Sequence, residues 1–219
     1  MLTTSRTSVH NFDNAVRGMR NAFDSWARAD SYTNGAGEFV FGENDLALAR
    51  KLCAAGTPHC KFLRQIFVSV DITAPLYWWK EFDTYKVGTA TNSQSTMHRI
   101  HAKPFDIADF SCEKLDARTL EVMRGVVARL EELRRSYNTG KDKADWYAMI
   151  QLLPSSYNQI RTCSMSYENL ANMYSQRKDH KLDEWRGFCS WIGNLPYAGE
   201  LILRPDECGT PSPATGGLS

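Results

Sequence analysis

The sequence lacks the short motifs that assign the commonest catalytic and binding sites. It contains no GxGxxG, no Walker phosphate loop, no GxSxG elbow and no HExxH. Its six cysteines are scattered and form no CxxC pair, so a structural zinc site is not indicated. Because these motifs are absent, the sequence gives no support for a nucleotide-phosphate loop, a serine hydrolase or a zinc protease.

The sequence also lacks an excess of charge and any long apolar run. Its 26 basic and 25 acidic residues give a formal net charge of +1, which removes the electrostatic argument for a nucleic-acid polymer or an anionic membrane as partner. No segment approaches the roughly 18 apolar residues of a membrane span, and MLTTSRTSVHNF lacks the apolar core of a signal peptide. We therefore expect a cytoplasmic protein with reduced thiols, without a membrane partner.

The length and composition indicate one sizeable domain. A chain of 219 residues that is 42% hydrophobic can bury one core, and it is short for two. The end of the chain is rich in Pro, Gly, Ser and Thr. We expect a single catalytic-type domain over 1–203 and a disordered tail over 204–219.

The stretch from Gln65 to His101 organises the rest of the chain. Apolar residues alternate with polar ones from Ile66 to Ile72, which predicts a strand with one buried face. Pro75 ends that strand, and aromatic residues at helical spacing predict a short helix over 76–86. The polar segment that follows, GTATNSQSTMH, has no apolar periodicity, and a polar loop beside a rigid aromatic element is typical of a ligand site.

Elsewhere, helical spacing of apolar residues is commoner than alternation. Asn11 is placed to cap a first helix whose stripe runs through Phe12, Val16, Met19, Phe23 and Trp26, and Asp116 is placed to cap the longest helix. The arginines beside the first stripe, Arg17, Arg20 and Arg28, are interpreted as a solvated face. Further helices are predicted over 45–56, 145–153, 167–178 and 182–195, and strands over 39–41 and 156–166. Irregular interleaving of helices and strands favours the α+β class.

Several polar groups have both a structural and a functional interpretation. His98 and His101 have a spacing that suits two metal ligands, but no carboxylate pair supports a metal site. The amides and hydroxyls from Asn92 to Ser95 suit a pyrimidine edge or phosphate oxygens, and equally a solvated turn. Arg177 is either a helix-dipole partner or surface ion pair, or a planar fork for phosphate.

The order of motifs around the first strand carries a family resemblance. Gly56 and His59 precede Phe62, then come the strand, Ala74-Pro75 and the Trp-rich helix, and then Y-K-V-G-T-A-T-N-S-Q-S-T-M from Tyr85 to Met97. This order resembles the flavin-dependent thymidylate synthases, whose corresponding signature is R-H-R-x-x-S-x-N-E-x-S-x-R. Asn92 and Ser95 match it. The substituted positions are Tyr85, Lys86 and Val87 (for Arg-His-Arg), Ala90 (for Ser), Ser93 (for Glu) and Met97 (for Arg).

A second match lies in the last third of the chain. The family carries Leu-Pro, then N-x-R-S-L-x-N-x-x-x-L-R, then an acidic-aromatic helix. Here Leu153-Pro154 precedes S-Y-E-N-L-A-N-M-Y-S-Q-R, and Glu184 follows. Leu170, Asn172 and Arg177 match, while Ser166 and Glu168 replace the Asn and the first Arg. The resemblance covers roughly residues 44–192 in order and spacing.

The resemblance implies a fold, an activity and a set of site residues. It implies helices around a small antiparallel or mixed sheet, and reductive transfer of a one-carbon unit to C5 of a deoxyuridine nucleotide such as dUMP. FAD would be the cofactor, NADPH and methylenetetrahydrofolate the co-substrates, and a homotetramer the assembly. Ser95 would lie by the uracil ring and Arg177 would hold the base. The residues implied near the cofactor are His59, Asn92, Asn172 and Lys86.

The substituted signature leaves other functions open. Losing the Arg-His-Arg and the final Arg removes charge-assisted hydrogen bonds worth about 1.5–3 kcal/mol each; Lys86, Arg64 and Arg99 are candidates to compensate. One alternative is a family-fold protein that acts on another pyrimidine nucleotide, and another is a non-catalytic nucleotide-binding relic without flavin. A third is a helical adaptor, which predicts an exposed patch at Trp78 and Trp79.

Overall fold

The computed structural model describes residues 1–203, and the predicted disordered tail at 204–219 lies outside the described residues. The strands are β1 (Thr3–His10), β2 (Tyr32–Thr33), β3 (Phe39–Val40), β4 (Phe67–Pro75), β5 (Ala90–Ser93) and β6 (Asn158–Ser166). The helices are α1 (Phe12–Met19), α2 (Glu43–Ala54), α3 (Leu76–Phe82), α4 (Ala117–Gly140), α5 (Lys143–Leu152), α6 (Tyr167–Arg177), α7 (Asp183–Gly193) and α8 (Ala198–Leu201). The α+β class predicted from the sequence is confirmed.

The chain is grouped into two compact units, each built from several chain segments. The first contains Met1–Ser8, Val68–Met165 and Arg177–Trp191, and the second contains Val9–Phe67, Ser166–Gln176 and the chain from Ile192. The single domain over 1–203 stays a prediction. Within residues 1–203, no helix is both long enough and apolar enough to cross a membrane.

A four-stranded sheet in the order β1-β4-β6-β5 organises the first unit. In β4, Val68, Val70, Ile72 and Ala74 are buried and the residues between them are more exposed, so the predicted alternation is confirmed. β5 runs antiparallel to β6, with Asn92 opposite Thr162.

The long helix of the first unit forms where its pattern predicts it. The Asp116 side chain accepts a hydrogen bond from the backbone N–H of Thr119, so it caps α4 as predicted. On the buried face of α4, Leu130 and Leu133 pack in one cluster with Met149 of α5 and Tyr157. This cluster lies under the irregular segment that follows β5, and it contains Ile100 from that segment.

The second unit is held by an aromatic cluster. Phe12 of α1 stacks on Phe39 of β3 at 5.1 Å between ring centroids and meets Tyr167 edge-on at 5.6 Å. Tyr197 packs edge-on against Phe41 at 4.8 Å. The strand predicted around Phe39 is confirmed, and it pairs with β2 as an antiparallel hairpin.

The first helix is shorter than its stripe predicts. α1 ends at Met19, and Phe23 and Trp26 are 56% and 51% exposed in the 3₁₀ turns beyond it. Asn11 has φ 74° and makes no side-chain cap; its amide donates to the Gln65 carbonyl instead. Arg20 turns inward at the helix end, so the interpretation of this arginine as part of a solvated face is wrong.

Two predictions in the organising stretch also need correction. α3 ends at Phe82 rather than at residue 86, and the segment predicted to be a loop contains strand β5. All four residues of β5 are exposed, so this edge strand has no apolar alternation by which the sequence could reveal it.

Trp78 and Trp79 are 0% and 1% exposed, so the patch required by the adaptor hypothesis does not exist.

Candidate functional site

Aromatic packing in the first unit fixes α3 against α7. Trp78 lies 4.8 Å from Trp185 and 5.5 Å from Phe188 between ring centroids, and Phe82 stacks on Trp185 at 6.5 Å. Trp78, Trp185 and Phe188 are fully buried. This packing holds Glu81, a half-buried residue of α3, next to α7 and the last residue of α6.

Arg177, the last residue of α6, is bound on three sides. Its Nη1 donates to Glu81 Oε2 at 2.8 Å and its Nε donates to the Tyr85 hydroxyl at 2.8 Å. Its guanidinium carbon lies 4.7 Å from the centroid of the Trp185 ring, within cation–π range. The side chain is 19% exposed, so this pair lies at the edge of solvent.

Glu81 accepts two hydrogen bonds on one oxygen, and a histidine lies beside that oxygen. Besides Arg177, the Trp185 Nε1 donates to Oε2 at 2.8 Å, and His180 Nε2 lies 3.4 Å from it. His180 Nδ1 accepts from the Leu182 N–H, which leaves Nε2 as the protonated nitrogen of the neutral ring. Among residues 1–203, neither Oε1 of Glu81 nor Nη2 of Arg177 has a hydrogen-bond partner. Glu81 therefore keeps an open acceptor and Arg177 keeps open donors, on two groups joined by a 2.8 Å hydrogen bond.

The polar segment after α3 carries three of the predicted site residues. Lys86 and Asn92 are exposed. Asn92 lies on β5 opposite Thr162 of β6, and the Thr162 hydroxyl donates to Asp71 Oδ1. The Ser95 hydroxyl accepts two long hydrogen bonds of 3.4 Å from the backbone of the next turn, at residues 97 and 99. These bonds are the turn-forming role that serine often has, and they leave the exposed hydroxyl able to donate.

Side-chain contacts hold this segment in place. Arg161 of β6 donates to Asp83 Oδ1 at 2.6 Å and lies over the Trp79 ring at 4.2 Å. Gln159 donates to the Gln94 carbonyl at 2.6 Å. On the other side, the Trp146 Nε1 donates to the Met97 carbonyl at 3.1 Å. The Ser95 turn is thus tied to β6 and to α5.

Two cations of the segment have no counter-charge within the described residues 1–203. Lys86 and Arg99 are exposed, and neither forms an ion pair with any residue from 1 to 203. Arg64, the third candidate to compensate for the lost signature charges, instead donates to Glu168 Oε2 at 2.7 Å in the second unit. Lys86 and Arg99 therefore fit an anionic group such as a flavin or nucleotide phosphate, and Arg64 is already paired.

The remaining predicted cofactor residues lie in the second unit. Asn172 is exposed on α6. His59 lies in a 3₁₀ turn and lines a cavity of about 310 Å³ between α1, α2 and the segment before β4, whose other polar lining includes Asn21, Lys61 and Gln65. The structure thus brings His59 to a cavity and leaves Asn172 on an open helix face.

The two histidines considered as metal ligands do not form a metal cluster. Within residues 1–203, no group of three His, Cys, Asp or Glu side chains could hold an ion. His101 packs edge-on against Tyr137 at 4.8 Å, and burial together with the charge of Lys141 lowers its pKa. His98 is exposed.

Buried thiols near the site are poor nucleophiles. Burial raises the pKa of Cys163, the β6 residue next to Thr162, to about 12, and that of Cys189 on α7 to about 11. A thiol with such a pKa carries almost no thiolate near neutral pH. Neither of these two cysteines is suited to attack a pyrimidine ring.

Sequence reasoning found Arg177 but missed the residues that surround it. Glu81, His180 and Trp185 were not singled out, and Tyr85 was noted only as a substituted signature position. The contacts join residues 92 to 104 positions apart, so no local pattern could show them. One signal was available in the sequence. Glu81 is the single carboxylate of the Trp-rich helix, and a carboxylate among buried aromatic side chains needs a hydrogen-bonding or charged partner.

Comparison by sequence finds no family and no relative. No protein-family profile matches the chain, and no curated protein matches it.

Comparison by structure finds close matches of fold. Thymidylate synthase X from Helicobacter pylori, solved with FAD and dUMP, superimposes with a TM-score of 0.67 at 17% identity, over 92% of this chain and 97% of the other. A second structure of the Helicobacter pylori enzyme, also with FAD and dUMP, gives a TM-score of 0.65 at 17% identity over the same shares. A UMP/dUMP methylase, PolB from Streptomyces cacaoi bound with 5-Br dUMP, gives 0.60 at 16% identity over 91% of each chain. The family resemblance read from the motifs is confirmed at the level of structure: this chain has the fold of the flavin-dependent thymidylate synthases.

Proposed function

We propose that this protein transfers a one-carbon unit reductively to C5 of a deoxyuridine nucleotide such as dUMP, in the manner of a flavin-dependent thymidylate synthase. The observation that carries the proposal is the shared fold, which covers more than nine-tenths of this chain and of proteins solved with FAD, dUMP or a dUMP analogue. At 16–17% identity that observation bears on the fold alone. The residues of the first unit supply the rest of the argument.

The open donors and acceptors of the first unit suit a pyrimidine nucleotide. Arg177 and the Ser95 hydroxyl would orient the base. Lys86 and Arg99, which form no ion pair with any residue from 1 to 203, would meet phosphate oxygens. Asn92 offers an amide on the same polar face as Thr162. Together these residues provide the neutral and cationic hydrogen-bonding groups that a nucleotide needs.

The cofactor assignment follows from the resemblance and the unpaired cations. The residues that the resemblance assigns to FAD are Lys86, Asn92, His59 and Asn172, and FAD when bound would supply the hydride of the reductive step. NADPH and methylenetetrahydrofolate would be the co-substrates. A homotetramer in the cytoplasm belongs to the same proposal.

An absorption spectrum of the purified protein, before and after addition of FAD, tests the proposal together with a dUMP titration. We expect flavin peaks that co-purify or that saturate on titration, followed by dUMP turnover. Nucleotide binding without flavin at any concentration would favour the non-catalytic relic. If neither ligand binds, the proposal fails and the fold alone remains.

Arg177→Ala adds a test at the level of a residue. It should abolish dUMP binding while the protein stays folded, because the side chain is at the solvent edge and not in the core. The matched control is Arg129→Ala, which removes an exposed arginine paired with Glu132 on α4. If Arg177→Ala unfolds the protein, Arg177 is structural and its assignment to the base is wrong.

A second candidate substrate is the ribonucleotide UMP. The similarity to a protein described as a UMP/dUMP methylase favours it. Competition between UMP and dUMP for the same site, measured by displacement, separates the two candidates. A protein that binds UMP at least as tightly as dUMP would move the proposal to the ribonucleotide.

A further inference from the structure

We propose that Glu81 and Arg177 together read the hydrogen-bonding edge of a uracil base, with Glu81 as the residue that determines specificity for uracil over cytosine. The inference rests on the proposed function, since it assumes that a pyrimidine nucleotide binds in the first unit. It goes beyond that function because it assigns the choice of base to Glu81.

The ion pair between Glu81 and Arg177 is made through Oε2 of the carboxylate. Arginine and carboxylate often pair through two parallel hydrogen bonds, but here Arg177 reaches only Oε2, at 2.8 Å. Trp185 donates to the same oxygen and His180 lies beside it. The hydrogen bonds from Arg177 and Trp185 to Oε2 orient the carboxylate, so Oε1 is left as a positioned acceptor.

The open atoms of Glu81 and Arg177 are complementary to the hydrogen-bonding edge of uracil. Among residues 1–203, Oε1 of Glu81 and Nη2 of Arg177 have no partner, and they belong to groups joined by a 2.8 Å hydrogen bond. An acceptor and a donor on two paired groups match the N3–H of uracil and the carbonyl next to it. Cytosine has an unprotonated N3, which would place a lone pair against the carboxylate.

The charges of Glu81 and Arg177 favour a neutral base over a phosphate at this position. Glu81 and Arg177 neutralise each other, and the outward carboxylate oxygen would repel a phosphate. Lys86 and Arg99 in the segment after α3, which have no ion-pair partner in the described part of the chain, are better suited by charge to that group. The pair of Glu81 and Arg177 therefore suits the neutral base.

The alternative is an ion pair with a structural role only, and the binding ratio of two nucleotides separates the two roles. We would measure dissociation constants of dUMP and dCMP by calorimetry for the wild-type chain and for Glu81→Gln. The matched control is Glu132→Gln, which alters an exposed carboxylate paired with Arg129 on α4. A variant that only loosens the fold would weaken both nucleotides by the same factor.

The wild-type protein should bind dUMP at least tenfold more tightly than dCMP. In Glu81→Gln the outward position can present an amide N–H, which opposes the N3–H of uracil and suits the N3 of cytosine. The ratio should shift toward dCMP by roughly tenfold or more, the effect of one hydrogen bond to a charged group. Glu132→Gln should leave the ratio unchanged.

A second measurement needs no variant. N3-methyl-dUMP lacks the N3–H, and the wild-type protein should bind it at least tenfold more weakly than dUMP. This comparison decides the matter if Glu81→Gln does not fold. If dUMP binds but both the ratio and the N3-methyl comparison are flat, the role of Glu81 is overturned and the proposed function stands. If no pyrimidine nucleotide binds to the wild-type protein, the proposed function falls and this inference with it.

Discussion

The Nε of Arg177 donates to the hydroxyl oxygen of Tyr85 at 2.8 Å. Tyr85→Phe removes this acceptor and leaves the Nε without its partner, so Arg177 loses one of the contacts that orient it. We expect the dissociation constant for dUMP to rise several-fold and the free energy of unfolding to fall by about 1 kcal/mol. Calorimetry with dUMP and urea unfolding measure the two effects.

Tyr147→Phe is the control for this change. Tyr147 is 48% exposed on α5, and its ring lies under Lys143. Removing its hydroxyl should alter neither dUMP affinity nor stability. Equal dUMP affinity in Tyr85→Phe and wild type would mean that the contact with Tyr85 does not position Arg177 for the nucleotide.

Elements with a strong apolar period were predictable from the sequence. The alternation from Ile66 to Ile72 and the cap at Asp116 gave β4 and α4, because burial of one face imposes the pattern directly. α1 was predicted too long because Phe23 and Trp26 continue its spacing after the helix has ended, although both are exposed. Periodicity shows which residues could share a face and does not show where the backbone leaves the helix.

The side chains of the site were less predictable than the fold. Arg177 was identified as a candidate, but its two interpretations stayed open because its partner Glu81 is 96 positions away. Arg20 was assigned to a solvated face because nothing local indicates that Asp45 receives it. Both pairs join residues that are far apart in the chain, so neither composition nor local spacing predicts which residues will meet.

Asp45→Asn should strongly destabilise the second unit. Arg20 and Asp45 are 3% and 1% exposed in their side chains, with Nε and Oδ1 2.5 Å apart, and the backbone N–H groups of Asp30 and Ser31 donate to Oδ2. The amide retains the size of the side chain but leaves a buried guanidinium without its counter-charge. We expect a loss of about 3–5 kcal/mol in the free energy of unfolding, measured in urea.

The control for Asp45 is Asp13→Asn on α1. Asp13 is exposed, and within residues 1–203 its carboxylate accepts only from the Thr33 hydroxyl. Its replacement should cost no more than about 1 kcal/mol, the scale of a helix-dipole interaction at the first turn. Equal losses for Asp45→Asn and Asp13→Asn would show that the buried pair contributes nothing beyond a surface contact.

Glu131 should make stability dependent on pH in the acid range. Hydrogen bonds from Arg134, outweighing the effect of burial, and further ones from the Phe105 N–H and from Arg135 lower its pKa from 4.5 to about 2. A lowered folded-state pKa stabilises the protein above the unfolded pKa, and this contribution is lost as the pH falls from about 4.5 through 2.

Glu131→Gln measures that contribution by difference. Urea unfolding at pH 7 should show the variant less stable by about 1–2 kcal/mol, a value reduced by solvent screening. The gap between wild type and variant should close as the pH approaches 2, because the wild-type carboxyl becomes protonated. A gap that is the same at pH 7 and at pH 3 would contradict the assignment of the shift to Glu131.

Lys86→Glu should weaken FAD binding in a salt-dependent way. Lys86 is exposed without an ion-pair partner among residues 1–203, so reversing its charge breaks no ion pair there. If it meets a phosphate, the dissociation constant for FAD should rise roughly tenfold at low ionic strength and less at high salt. Lys143→Glu, on the exposed start of α5, is the matched control. Parallel behaviour of the two variants would remove Lys86 from the cofactor site.

Ser95→Ala separates a turn-forming serine from a functional one. The Ser95 hydroxyl accepts two hydrogen bonds of 3.4 Å from backbone N–H groups, which are long and therefore weak, so the melting temperature should change little. If the hydroxyl also orients the uracil ring, dUMP turnover should fall several-fold, up to about tenfold, the effect of one lost neutral hydrogen bond at the base. Ser175→Ala, an exposed serine of α6, should change neither quantity. A normal turnover rate in Ser95→Ala would exclude Ser95 from the site, whereas a large drop in melting temperature would identify it as a residue of the turn.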